Sequence, residues 1–209
     1  MVSQHEKRLP LDPGTIPGFL SEAEGWGLHG LAFEAASFGP CLEIGSYCGK
    51  SSLFLGTACK ARGSTLYSVD HHRGSEEHQR GEAYHDPLLY DEVAGCVDTF
   101  PVFRQTLANA GLEEVVVPIV ASSAAAARDW QTPLGLVFID GGHSEASAQA
   151  DYEGWARHVV KGGFLAIHDV FFDPAEGGQA PRAIWQRAID DGAFCALEMV
   201  DTLGILKRR

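Results

Sequence analysis

No two cysteines in this 209-residue chain are spaced Cys-x-x-Cys, and the five present (Cys41, Cys48, Cys59, Cys96 and Cys195) are odd in number and scattered. Neither a disulfide framework nor a zinc site is indicated, which fits a reducing cytoplasm. Long apolar runs are also missing. None approaches the ~20 residues of a membrane span, and the opening stretch MVSQHEKRLPLDPGTIPG has no signal-peptide core. A cytoplasmic protein that is neither secreted nor membrane-anchored is expected. Basic residues are in deficit, 16 Lys and Arg against 28 Asp and Glu, for a formal net charge of −12. Nucleic acids and anionic membranes both need a basic surface to displace counterions, so the expected partner is a small molecule. Repeats and low-complexity tracts are absent too. The chain is 45% hydrophobic and 21% charged, enough for a single domain with a sizeable core.

What is present is an alternation. Pro10, Pro13, Gly14 and Pro17 make residues 1–20 read as an arm, and residues 21–209 as one domain. Ser21 and Glu24 form a capping-box signature for a helix that Gly39-Pro40 stops. Apolar runs then alternate with helical stretches. The runs are 41–45, 65–70, 115–120, 134–140 and 163–169; the helices are about 50–61, 92–110, 122–129, 145–159 and 181–191. This pattern predicts an α/β fold with a Rossmann-like, doubly wound, mostly parallel sheet. Residues 193–200 and 203–208 are joined by Asp201-Thr202 alone, too little chain for a helical crossover. They are expected to close the sheet as an antiparallel hairpin.

Ligands of such sheets sit outside the carboxyl ends of the strands, and here those ends carry Glu43-Ile44-Gly45, Asp70, Asp140 and His168-Asp169. Between the first strand and its helix stands EIGSYCGKS (43–51), whose Gly45 and Gly49 let backbone approach a ligand closely. A P-loop hydrolase needs Gly-x4-Gly-Lys-Ser/Thr; Gly45-x3-Gly49-Lys50-Ser51 is one residue short, although LVFID (136–140) resembles its metal-binding strand. A dinucleotide fingerprint is likewise missing.

An acid before a glycine loop, a second acid ending the next strand and a closing hairpin together resemble the class I S-adenosylmethionine-dependent methyltransferases, over residues ~40–208. A sulfonium is positive, so carboxylates suit it where a polyphosphate would need anion-binding groups. The resemblance implies S-adenosylmethionine as cofactor. It places Glu43, Gly45, Tyr47 and Gly49 around it, with Asp70 on the ribose hydroxyls and Tyr47 near the methionine portion. Ser51 or Ser52 would meet the carboxylate, and Ser122 and Ser123 the adenine. Helix-start hydroxyls and helix caps account for these four serines equally well.

The chain resembles more closely the metal-dependent catechol-type and antibiotic-sugar O-methyltransferases, which end the fourth strand on an acid and the fifth on two polar residues. That resemblance implies a divalent metal on Asp140, His168 and Asp169, with Asp140 also bordering the cofactor. Mg²⁺ suits carboxylates, and the histidine tilts the choice toward Mn²⁺ or Fe²⁺. His143, three residues past Asp140, stands where such enzymes carry a general base; a plain strand-to-helix turn is the competing reading. The small-molecule acceptor would be a hydroxylated metabolite or sugar. Two loop insertions, 71–92 and 171–181, are expected to select it, through His72 or Arg73 in the first and Gln179 in the second. The histidines of the first loop match no compact ligand set. Asp151, Tyr152 and Trp155 read as packing or surface groups. A homodimer is the commonest assembly. A protein that merely binds the nucleoside would not need Asp140, His143, His168 and Asp169 together.

Overall fold

A computed structural model describes residues 8–75, 78–82, 85–142 and 144–209. Helix α1 (Glu22–Ala35) starts at the capping box: the Ser21 hydroxyl accepts from the Glu24 amide at 3.2 Å, and the Glu24 carboxylate accepts from the Ser21 amide at 3.0 Å. Then follow β1 (Cys41–Ile44), α2 (Lys50–Arg62), β2 (Leu66–Asp70), a short ribbon of β3 (Tyr90–Asp91) and β4 (Cys96–Val97), α3 (Phe100–Ala110) and β5 (Val116–Val120). The second half holds α4 (Ser123–Ala127), β6 (Leu134–Ile139), α5 (Glu145–Trp155), β7 (Val159–Ile167), α6 (Ala180–Asp190), β8 (Phe194–Ala196) and β9 (Gly204–Arg208).

Seven strands form one sheet in the order β5-β2-β1-β6-β7-β9-β8. β5, β2, β1, β6 and β7 run parallel, while β9 is antiparallel to both β7 and β8, as the closing hairpin required. The chain winds outward from β1 and then returns to β6 beside it, so the sheet switches direction between these two strands and their carboxyl ends flank an open crevice. Both faces are oily, because side chains alternate across a strand. Leu136, Phe138, Phe164 and Ala166 pack under α1, α2 and α3, while Leu42, Val137, Ile139 and Leu165 pack under α5 and α6.

Three elements differ from the pattern-based expectation. The helix placed at 92–110 starts only at Phe100, since Pro87 and the left-handed Gly95 turn the preceding chain into a 3-10 turn and the β3–β4 ribbon. The first arm of the hairpin is three residues long, and Val200 makes one bridge to Leu203 around the left-handed Asp201. β7 begins four residues early, taking in Gly162-Gly163 as an irregularity where pairing jumps from Leu134–Val159 to Leu136–Phe164. A Cβ on Gly163 would stand 2.6 Å from the Gly135 carbonyl oxygen, which is why glycine fits there. The described part of the arm is no loose tail: Leu9, Leu11, Ile16 and Leu20 pack on the core, and Lys50 Nζ donates to the Gly18 carbonyl at 2.8 Å.

Candidate active site

At the carboxyl edge lies a cleft of about 800 Å³, ample for a nucleoside and a small acceptor. Its floor is the first part of the glycine turn, Gly45, Ser46 and Tyr47. Gly45 has φ +84°, and a Cβ there would fall 1.9 Å from the Asp140 carbonyl oxygen, so only glycine lets the β1 and β6 ends meet. Asp70 staples this turn to β2. Its Oδ2 accepts from the amides of Ser46 (2.9 Å) and Tyr47 (2.8 Å), and its Oδ1 from the His72 amide (2.7 Å).

Glu43 is placed differently from expectation. It is fully buried beneath the turn, where Oε1 accepts from the hydroxyls of Ser52 and Ser68 and Oε2 from Ser51. Burial pushes its carboxyl up to about 7, more than these three donors offset. Glu43 and Ser52 therefore brace the turn from below, while Gly45, Tyr47 and Ser51 lie on the cleft wall.

On the far side, the β6–β7 pairing sets Ile139 against Ile167, so Asp140 and His168 emerge side by side. His168 Nδ1 lies 3.1 Å from Asp140 Oδ1 and 3.4 Å from Asp169 Oδ2. One donor atom from each of the three residues falls within 4.8 Å of the others. Asp169 adopts φ +58°, a left-handed conformation that Asp tolerates better than most residues and that turns it back beside His168. The other ring nitrogen, Nε2, meets Glu24 Oε2 at 3.1 Å. Burial works against charge on His168, but Asp140, Asp169 and Glu24 outweigh it and raise its pKa far above the usual imidazole value. Glu24 is held at about 2: burial would raise it, yet the hydrogen bonds from His168 and Thr202 and the charge on His168 prevail.

Other expected residues divide. Ser122 and Ser123 line the cleft; the first caps α4, accepting from the Ala125 amide at 3.4 Å, and the second accepts from Trp155 Nε1 at 2.8 Å. His72 is turned into the core instead, 2% exposed, its Nδ1 2.8 Å from Thr99 Oγ1 and its ring against Phe100 and Phe103; burial lowers its pKa, which keeps it neutral. The expectation of an acceptor contact there is corrected by that packing. Gln179 is likewise spent on its own loop, donating to the carbonyls of Phe171 (3.3 Å) and Gly177 (3.1 Å). His143 lies outside the described residues.

One residue was read only as a packing or surface group, and one cluster was not read at all. Asp151 borders the cleft at 5% exposure beside Ser123 and Gly141, and burial pushes its carboxyl up to about 6. Its signal was available: with Ala148, Tyr152 and Trp155 it occupies the buried stripe of α5, where a charge is out of place. At the cleft mouth, Phe19 from the arm, Tyr47 and His78 form an aromatic cluster, with ring centroids 6.2 Å (Phe19–Tyr47) and 5.0 Å (Tyr47–His78) apart. Nothing in a proline-rich arm pointed to that.

Residues 42–170 match the family described as a methyltransferase domain. The chain belongs to this family, and its fold is that of the class I S-adenosylmethionine-dependent methyltransferases. Similar solved structures include an O-methyltransferase from Bacillus cereus in complex with S-adenosylhomocysteine, 15% identical, with a TM-score of 0.63 over 94% of this chain and 86% of that one. Another is the O-methyltransferase TomG from Streptomyces achromogenes, involved in tomaymycin synthesis and bound to S-adenosylmethionine, 16% identical, with a TM-score of 0.63 over 91% and 81%. The S-adenosylhomocysteine-bound methyltransferase PaMTH1 from Podospora anserina is 13% identical, with a TM-score of 0.61 over 91% and 80%. The phosphate-binding alternative loses ground on geometry, because Lys50, which a P-loop would aim at a phosphate, is committed to the Gly18 carbonyl.

Proposed function

We propose that the protein transfers the methyl group of S-adenosylmethionine to a hydroxyl oxygen of a small metabolite, assisted by a divalent metal. The observation that carries this is the convergence of Asp140, His168 and Asp169 at the end of the cleft beside the glycine turn. Two carboxylates and an imidazole fit Mn²⁺ or Fe²⁺, and Mg²⁺ less well. A divalent ion held there lowers the pKa of an acceptor hydroxyl and fixes its oxygen relative to the methyl group.

The chain's own groups supply the rest. Asp70 faces the ribose, with lone pairs left over from its three amide bonds. Ser46, 2% exposed, has a hydroxyl with no hydrogen-bond partner among the described residues and sits on the cleft wall, where a nucleoside hydroxyl or carboxylate satisfies it. Ser122, Ser123 and Asp151 border the adenine end, while Gly45, Tyr47 and Ser51 border the methionine end; Gly49, expected beside the cofactor, instead closes the turn against Phe103 and Thr106 of α3. His143 takes the acceptor proton, a role its intrinsic pKa of ~6.5 allows near neutral pH. The Phe19–Tyr47–His78 cluster gives a planar ring or the apolar face of a sugar a surface to stack on. Five unpaired cysteines support a cytoplasmic setting, and a homodimer remains the expected assembly.

Isothermal titration separates the possibilities. The wild-type protein should bind S-adenosylhomocysteine and one equivalent of Mn²⁺. Asp169→Ala should lose at least about tenfold in Mn²⁺ affinity while its S-adenosylhomocysteine affinity is unchanged. Tight ATP binding without S-adenosylhomocysteine binding would overturn the transfer reaction, and an Asp169→Ala protein that binds Mn²⁺ normally would overturn the metal assignment.

A further inference from the structure

We propose, resting on the metal-assisted reading above, that Glu24 is a positioning residue: it dictates which ring nitrogen of His168 faces the cation shared with Asp140 and Asp169. As the third residue of a capping box, Glu24 needs only to reach the Ser21 amide, which an exposed side chain does as well. Here the residue is 3% exposed and its carboxylate is held from several directions. Oε1 accepts from the Thr202 amide (3.1 Å) and the Thr202 hydroxyl (2.7 Å), while Oε2 accepts from the Ser21 amide (3.0 Å) and lies 3.1 Å from His168 Nε2. The carboxylate plane is thereby fixed before the imidazole meets it.

The consequence follows from donor and acceptor bookkeeping. An ionised carboxylate only accepts, so Glu24 requires a hydrogen on Nε2. A neutral imidazole has one such hydrogen, which leaves the Nδ1 lone pair directed at Asp140 Oδ1 (3.1 Å) and Asp169 Oδ2 (3.4 Å). A lone pair facing two carboxylate oxygens is repulsive unless something positive lies among them: a second ring proton in the cation-free protein, or, in the loaded protein proposed here, a divalent ion with all three groups as ligands. Carboxylate-to-histidine-to-metal relays of this kind fix the ring's tautomer and raise its basicity as a ligand. In this chain the relay starts 144 residues upstream of the histidine, in the first turn of α1.

The test is Mn²⁺ titration of the full-length protein, followed by calorimetry and electron paramagnetic resonance, with thermal unfolding recorded in parallel. Glu24→Ala should weaken Mn²⁺ binding by about 10–100-fold, and Glu24→Gln, which keeps an acceptor oxygen but no charge, should lose less. Ser21→Ala removes the cap's hydroxyl but no contact of His168; it should lower the melting temperature and leave Mn²⁺ affinity as in the wild type. Nitrogen-15 spectra of the wild type loaded with diamagnetic Zn²⁺, which accepts imidazole and carboxylate ligands, should show His168 as the neutral tautomer protonated on Nε2, a readout that does not depend on any variant folding. Wild-type Mn²⁺ affinity in Glu24→Ala, or a tautomer protonated on Nδ1, would reduce Glu24 to a helix cap. A wild-type protein that binds no Mn²⁺ shows that a proton alone sits among these groups and overturns the metal reading itself.

Discussion

Three acids at or beneath this cleft face different surroundings, and burial alone does not predict their ionisation. Glu24 has a histidine and an amide network and is held at about 2; Glu43 has only hydroxyls and rises to about 7; Asp151 has one serine and rises to about 6. Asp151 and Glu43 hold their protons more tightly folded than unfolded, where values near 3.8 and 4.5 apply. Their favourable contribution is therefore complete below those unfolded values and is lost as pH rises through about 6 and about 7 respectively. Replacing Asp151 by Asn removes its share. The stability of Asp151→Asn relative to wild type should climb by on the order of 2 kcal/mol between pH 4 and pH 7.5, measured by urea unfolding at each pH; a gap that stays constant would show that the carboxyl is not strained by burial. The strand-end acids and His168 were legible in the sequence because a titratable group closing an apolar run is conspicuous. Glu43, Ser52, His72 and Gln179 were misplaced because residue type does not reveal whether a loop turns a side chain toward the cleft or beneath it. Glu24 was hidden by having a sufficient local explanation as a cap.

Among the elements, α1 does two things that its amino-acid pattern shows separately. Its buried side carries Leu28 and Ala32 onto the sheet, and its first turn delivers Glu24 to His168. The helix can come close enough because residue 25 is glycine: a Cβ there would sit 2.4 Å from the Phe54 ring of α2. Gly25→Ala should destabilise the protein by about 1–3 kcal/mol in guanidinium unfolding despite alanine's better helix propensity; a neutral or stabilising outcome would mean that α1 and α2 shift apart without loss. The alternation of strands and helices gave the sheet's composition correctly because its period is set by burial on both faces. Residues 92–99 were misread as the start of a helix because the β3–β4 ribbon there is held by local turns and two backbone pairs, which leave no hydrophobic period.

For the whole molecule, the strand order matters more than the strand count. β9 is inserted between β7 and β8, so it joins the edge strand β8 to the rest of the sheet and also lies beside the strand that leads into His168 and Asp169. Deleting residues 204–209 would leave β7 without its antiparallel neighbour and expose Phe164, Ala166 and Ile167 along a bare edge. Such a truncation should lose cooperative thermal unfolding by circular dichroism and aggregate on concentration; a cooperative transition near the wild-type temperature would show that the hairpin is dispensable.

The Glu24–Thr202 pair also places a constraint on synthesis. All of Asp140, His168 and Asp169 have been made by residue 169, yet the carboxylate behind the histidine is anchored by a residue 178 positions further along the chain than itself. A nascent chain growing from its amino end therefore holds its ligands well before it holds them in place, and a contact of such long sequence separation is slow to form. Until the final hairpin docks, Asp140, His168 and Asp169 are all present but Glu24 is not yet anchored behind the histidine, so under the proposed metal role tight cation binding should arise only as folding ends.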